Sequence, residues 1–115
     1  MQANSDQASL KIDVEQVKAR LDSGEPLLLL DCREQEEYDL VHLAQSVLFP
    51  MSEIQTRLEE LKGYQTTPVI VYCHFGARSL QVAHWLQHQG FTDVLSMTGG
   101  IDSWSQRIDS TLPRY

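Results

Sequence analysis

The residues of this sequence best suited to chemistry lie in Val69-Ile70-Val71-Tyr72-Cys73-His74-Phe75-Gly76-Ala77-Arg78-Ser79. The β-branched and aromatic residues before Cys73 read as a strand buried on both faces, as at the centre of a parallel sheet. The strand stops at the cysteine and a short loop with one glycine follows. Ser79 is then the expected N-cap of an amphipathic helix over Leu80 to Gln89. Strand end, tight loop and helix start turn backbone N–H groups toward the loop centre, and the helix dipole adds positive potential there. Such a ring holds an anion and favours the thiolate of a cysteine at its mouth. Arg78, five residues after Cys73, adds a fixed positive charge. The plain alternative is that Cys73 is a buried small hydrophobe, as most free cysteines are. Position decides between them, because open α/β sheets bind ligands at the ends of their central strands. The nucleophile reading is preferred.

A second group of polar residues is Asp31-Cys32-Arg33-Glu34-Gln35-Glu36-Glu37-Tyr38. Arg33 and Glu37, four apart, are expected to pair with each other. Asp31 closes an apolar run near the loop, where its carboxylate either orients loop amides or Arg78, or simply caps the next segment. His74 lies inside the loop and either steers anions and acceptors or faces solvent. His42, His84 and His88 form no metal-ligand cluster. Trp85 and Trp104 read as core residues. Phe75, at the loop rim, either excludes water or docks a protein partner.

These groups must be carried by a scaffold, and the chain supplies one. Residues 1–8 read as a frayed tail. Leu10 to Ile12 is a candidate first strand. Asp13 and Gln16 have capping-box spacing, opening a helix with Val14, Val17 and Leu21 on one face. Gly24 and Pro26 end it. Leu27-Leu28-Leu29-Leu30, closed by Asp31, is too short for a buried helix and fits a second central strand. Glu34 to Leu40 is a short helix with an acidic front. Val47 to Phe49, before Pro50, is an edge strand. Ser52 and Gln55 form another capping-box pair, opening a helix with Ile54, Leu58 and Leu61 buried and Gly63 as its stop. Gly90 closes the helix after the loop, Val94 to Met97 is a fifth strand, and Gly99-Gly100 turns into a helix over Ile101 to Arg107. Strands alternating with helices at this spacing give a parallel α/β sheet covered on both faces.

Size and charge bound the function. A chain of 115 residues is one domain able to bury a core without staples. A net charge of -7 argues against nucleic acid or an anionic membrane surface as partner. Any anion site must therefore be a local positive feature. Residues 1–9 have neither the apolar core nor the basic cluster of a signal peptide, and no apolar run reaches membrane-spanning length. Two cysteines without an export signal read as free thiols in a reducing, cytoplasmic setting.

Three separated motifs carry a family resemblance, spanning about Leu10 to Arg107. Asp31 to Tyr38 resembles the D-x-R-x-x-x-E-[FY] segment of single-domain rhodaneses, with His42 at that segment's following histidine. Cys73 to Ser79 resembles their active loop. Thr98-Gly99-Gly100-Ile101-Asp102-Ser103-Trp104 resembles their G-G-x-x-x-W segment. The resemblance implies a rhodanese-like three-layer α/β fold over residues 1–115, a five-stranded mostly parallel sheet with helices on both faces. It also implies thiosulfate sulfurtransferase chemistry. Cys73 attacks the outer sulfur of thiosulfate or of a persulfide donor, and the resulting persulfide passes its sulfur to cyanide or a thiol. On this reading His74, Phe75, Gly76, Ala77, Arg78 and Ser79 bind substrate, with Arg78 on the donor's sulfonate. Asp31, Arg33 and Trp104 support them from behind. No metal and no cofactor is expected; the partners are a small-molecule sulfur donor and acceptor, or a protein donor or acceptor. A sulfur carrier in a relay, and a rhodanese-like interaction module without turnover, are the alternatives. An activated thiol speaks against the second.

Only His74, Phe75, Gly76 and Ala77 separate Cys73 from Arg78. Related phosphatases and arsenate reductases carry one more residue there, so the loop length favours sulfur over a tetrahedral oxyanion. One segment departs from the family. Where G-H-I-P-G-A is common, this chain has Val41-His42-Leu43-Ala44-Gln45-Ser46, which changes the turn before the third strand. Cys32 sits where an apolar residue is more usual. It is either a buried filler pointing away from the loop or a resolving thiol that traps oxidised Cys73.

Overall fold

Five strands form the sheet in a computed structural model that describes residues 10–115. They are β1 (Lys11–Ile12), β2 (Leu28–Asp31), β3 (Val47–Leu48), β4 (Val69–Tyr72) and β5 (Val94–Met97). The spatial order is β1-β5-β4-β2-β3 and every pairing is parallel. The sheet is thus wholly parallel rather than mostly so. The tail expected over residues 1–8 lies outside the described residues.

Alternation along the central strands builds two cores. Leu28, Leu30 and Cys32 of β2 and its extension, with Val69, Val71 and Cys73 of β4, face one side. There they meet Ile54 and Leu61, and Val82, Ala83 and Leu86 of a helix over Ala77–His88. Leu29, Ile70 and Tyr72 face the other side, against Val14 and Val17 of α1 (Val14–Asp22) and Ile101 and Trp104 of the last helix, Gly100–Arg107. Both faces are covered, as continuous apolar strands require. The Asp13–Gln16 capping box at the start of α1 is present in both directions.

Three local expectations change. α2 (Gln35–Leu40) forms, but the segment after Pro50 runs as consecutive turns, and the only α-helix there is α3 (Leu58–Leu61). Ser52 does not cap it: its hydroxyl donates to the Glu34 carboxylate at 2.6 Å. Gly63 lies inside a 3-10 turn over Lys62–Tyr64 rather than ending a helix. Ser79 is not the N-cap of the long helix, α4, which starts at Ala77 with Gly76 as cap at φ 113°. The last helix is α5. The two serine signals failed because a hydroxyl can bond partners other than a helix amide, Glu34 for Ser52 and the Gly76 carbonyl for Ser79.

The altered turn before β3 keeps a left-handed residue. Gln45, at φ 71°, is the one non-glycine residue with positive φ among the described residues, and it stands where the family pattern has glycine. The turn is tied down by Tyr72, whose hydroxyl accepts from the Leu43 amide at 3.1 Å and donates to Ser46 Oγ at 3.1 Å. Replacing Gln45→Gly removes the steric cost of this conformation and loosens the unfolded chain, so urea unfolding should show a gain of up to about 1 kcal/mol. A loss of stability would mean that the Gln45 side chain contributes more than its backbone costs.

Candidate active site

β4 delivers Cys73 to the end of the sheet, and the chain then turns sharply into α4. Two backbone amides converge on the sulfur: Gly76 N–H at 3.0 Å and Ser79 N–H at 3.3 Å. Both belong to the cap and first turn of a 12-residue helix, where amides lack intrahelical partners and the dipole is positive. The positive φ of Gly76 aims its N–H inward, a geometry that a side chain would strain. Ser79, fully buried, lies 3.4 Å from the sulfur through Oγ, which also donates to the Gly76 carbonyl and sits 2.7 Å from Ser96 Oγ. In the thiol state Ser79 Oγ accepts from the S–H; turned, it donates to a thiolate.

The loop is held from behind by Gly99-Gly100. Amides of Ile101 and Asp102 donate to the carbonyls of Cys73 and His74 at 2.9 and 3.1 Å. A Cβ on Gly100 would sit 2.5 Å from the Cys73 carbonyl oxygen, so no side chain fits between the two segments. Both ends of the turn are therefore fixed by backbone.

The charged residues pair differently from expectation. Arg33 does not meet Glu37. It is fully buried with Asp31, 2.7 Å away through Nη2, and also donates to the Val41 carbonyl and to Tyr115 Oη. Four of its five N–H groups are thereby used, and its guanidinium lies 5.5 Å from the Tyr72 ring centroid. Asp31 accordingly serves Arg33, and neither orients Arg78 nor caps α2. Glu37 instead grips Arg78 with both oxygens, at 2.8 and 2.9 Å. The Arg78 guanidinium holds the Glu37 carboxyl down at about 2. Bracing the loop against α2 in this way takes one N–H from each terminal nitrogen of Arg78.

Other candidates divide cleanly. Ala77 opens α4 beside Gly76, and Phe75 is 62% exposed at the rim. The His74 ring stacks between Phe75 and Tyr115, with centroids 3.8 Å apart on each side, and its buried Nε2 has no hydrogen-bond partner among the described residues. Trp104 packs in the core on the face of the sheet opposite Cys73, away from the loop. Cys32 continues β2 beside Cys73, its amide bonded to the Tyr72 carbonyl, and both cysteines are buried free thiols on one face. It therefore does not point to the other side. Burial, then the neighbouring Cys73 and Asp31, push the Cys32 thiol up, which makes it a weak nucleophile at rest. Packing is the reading this geometry favours.

Glu37 and Tyr115 were not singled out as site residues from sequence. Glu37 lies in the D-x-R-x-x-x-E-[FY] motif, but its helical spacing points to Arg33 and not to Arg78; Tyr115 carries no local signal, because its contacts are 78 and 82 residues distant. A cleft of about 460 Å³ between Lys18, Leu21, His42 and Trp104 contains no loop residue and no nucleophile. Among the described residues no cluster of metal-ligating side chains is present, and no helix is long and apolar enough to cross a membrane.

The comparisons with known proteins agree with this geometry. Residues 13–107 match the model of the rhodanese-like domain family. A putative sulfur carrier protein of Bacillus subtilis is 33% identical over 86% of this chain, which spans only 52% of that protein. Thiosulfate sulfurtransferase GlpE of Coxiella burnetii is 36% identical over 68% of this chain and 71% of its own length. The crystal structure of a rhodanese-like domain protein from Staphylococcus aureus superposes with a TM-score of 0.77, at 25% identity, covering 91% of this chain and 97% of that one.

A pH test follows from the Glu37–Arg78 pair. A carboxyl whose folded value is depressed stabilises the fold above its unfolded value of roughly 4.3, and that contribution fades as pH falls toward about 2. Thermal melts of Glu37→Gln and the parent should differ by a constant amount above pH 5 and converge between pH 4 and about 2. A pH-independent difference would place the stabilisation in packing rather than charge.

Proposed function

This chain belongs to the rhodanese-like domain family, and on that premise we propose that it transfers sulfane sulfur through a persulfide on Cys73. The observation that carries the reading is the convergence of the Gly76 and Ser79 amides on one sulfur at a helix N-terminus. Such donors stabilise a thiolate before reaction and the anionic terminal sulfur after it. The Cys73 thiolate attacks the sulfane sulfur of a donor, the new S–S bond forms, and sulfite or a thiolate leaves with the electron pair. Cyanide or an acceptor thiolate then attacks the outer sulfur and returns Cys73 as thiolate. Two displacements through a covalent enzyme give ping-pong kinetics. Both cysteines are free thiols, as persulfide chemistry in a reducing compartment such as the cytoplasm would require.

A second reading concerns the donor. Among the described residues near the loop, Arg78 is held by Glu37 and Arg33 by Asp31, and the whole chain carries -7. A dianion such as thiosulfate gains little there, whereas a persulfide on a thiol or on a partner protein needs no sulfonate anchor. This supports a place in a sulfur relay beside, or instead of, turnover with thiosulfate.

Intact mass tests the reaction. Protein treated with thiosulfate or a thiol persulfide should gain one sulfur atom, lose it to cyanide or reductant, and gain nothing as Cys73→Ser. Loading that survives in Cys73→Ser would remove the assignment.

Arg78 separates the two donors. Because its fork braces the loop, Arg78→Ala should slow loading by both donors in the same proportion, about tenfold. Arg78→Lys should restore little, since an ammonium cannot grip both Glu37 oxygens. A defect confined to kcat/KM for thiosulfate would instead restore Arg78 to the sulfonate.

A further inference from the structure

The segment that closes over the loop is the one nearest the end of the chain. Leu112 packs against the second core, and Arg114 bonds Asp102 at 2.9 Å, which anchors the strand of chain between them over the start of α5. Tyr115 is thereby set beside the loop. Its hydroxyl donates to Glu37 Oε2 at 2.8 Å and accepts from Arg33 Nη1 at 2.7 Å. One phenol thus joins two ion pairs into a single chain, Asp31–Arg33–Tyr115–Glu37–Arg78. Its ring lies flat on His74, at 8° and 3.8 Å, and the residue next to His74 is Cys73, only 1% exposed. His74 cannot swing away on that side without unstacking Tyr115.

We propose that Tyr115 is a positioning and specificity-determining residue of the Cys73 site. Its ring walls the mouth on the His74 side and admits narrow acceptors, and its hydroxyl holds Glu37, and through it Arg78, in place. The inference rests on the sulfur-transfer reading above for what the acceptor is, but not for the wall itself. Ring and hydroxyl have separable duties. Removing the hydroxyl takes away one of the two donors to Glu37 Oε2 and loosens the brace; removing the ring opens a side of the mouth. In the acceptor step a thiolate RS⁻ attacks the outer sulfur, forms RSS⁻, and leaves Cys73 as thiolate, so the acceptor's bulk must pass the wall.

The test measures a ratio rather than a rate. Cys73 is alkylated by iodoacetamide and by a fluorescein-bearing maleimide, with the site read by peptide mapping, and the persulfide is discharged by cyanide and by glutathione. Tyr115→Ala should raise the bulky-to-small ratio about tenfold in both assays. Tyr115→Phe, which keeps the ring, should leave both ratios unchanged while slowing loading about tenfold, the scale of one hydrogen bond to a charged group. Tyr115→Trp should lower the ratios, which keeps the test available if Tyr115→Ala does not fold. A residue that only stabilises the fold would depress every rate together, so unchanged ratios in Tyr115→Ala or Tyr115→Trp overturn the proposal. If the alkylation ratio shifts but wild type never takes up sulfur, the wall stands. The sulfur-transfer reading then fails, and the acceptor role with it.

Discussion

Two amides meeting on one sulfur is the constraint on which this end of the molecule depends. Backbone N–H groups can converge only if the chain reverses within a few residues, and that reversal requires a left-handed Gly76. The reversal leaves the Cys73 and His74 carbonyls facing away from the sulfur, where they would be orphaned. The first amides of α5 take them, and those amides can approach only because Gly100 has no side chain. Loop, glycine pair and α5 thus form one backbone unit. A change in any of the three alters the distance at which a bound anion meets its donors.

The amides of Gly76 and Ser79 and the dipole of α4 put positive potential at the sulfur. Both arginines of the region are neutralised, one at the surface by Glu37 and one in the interior by Asp31. A fully buried ion pair gains little net stability, because desolvation offsets attraction, but losing one partner is costly. Such a pair fixes geometry. Arg33 gathers β2, the Val41 carbonyl, the Tyr72 ring and Tyr115 around one planar group, which sets the angle at which the chain leaves the sheet.

The pleat of the sheet separates these duties. Cys32 and Cys73 project to one face, while Asp31 and Tyr72, paired in register, project to the other. The sulfur therefore sits on the α4 side, and the turn-holding hydrogen bonds of Tyr72 and the Asp31–Arg33 pair sit on the α5 side. A register slip of one residue would exchange them and disturb the buried Asp31–Arg33 pair, which is costly.

Periodicity and punctuation in the sequence were enough for the five strands, their parallel order of elements and the strand-end position of Cys73, because these depend on local pattern. The Asp13–Gln16 box was legible for the same reason. Ser52 and Ser79 were misjudged as caps, since a hydroxyl three residues from a suitable amide can still be claimed by Glu34 or by the Gly76 carbonyl. Pairing of charges was not legible either. Arg33 and Glu37 have helical spacing, but Arg33 lies before α2 and is drawn inward to Asp31, leaving Glu37 to Arg78, 41 residues away. Tyr115 marks the limit: nothing in its neighbourhood announces a partner, and only the packing of α5 and the segment after it brings its hydroxyl to Arg33 and Glu37. Short-range pattern fixes which way backbone and side chains alternate, whereas long side chains choose partners by proximity in space, and that proximity exists only once the sheet has formed.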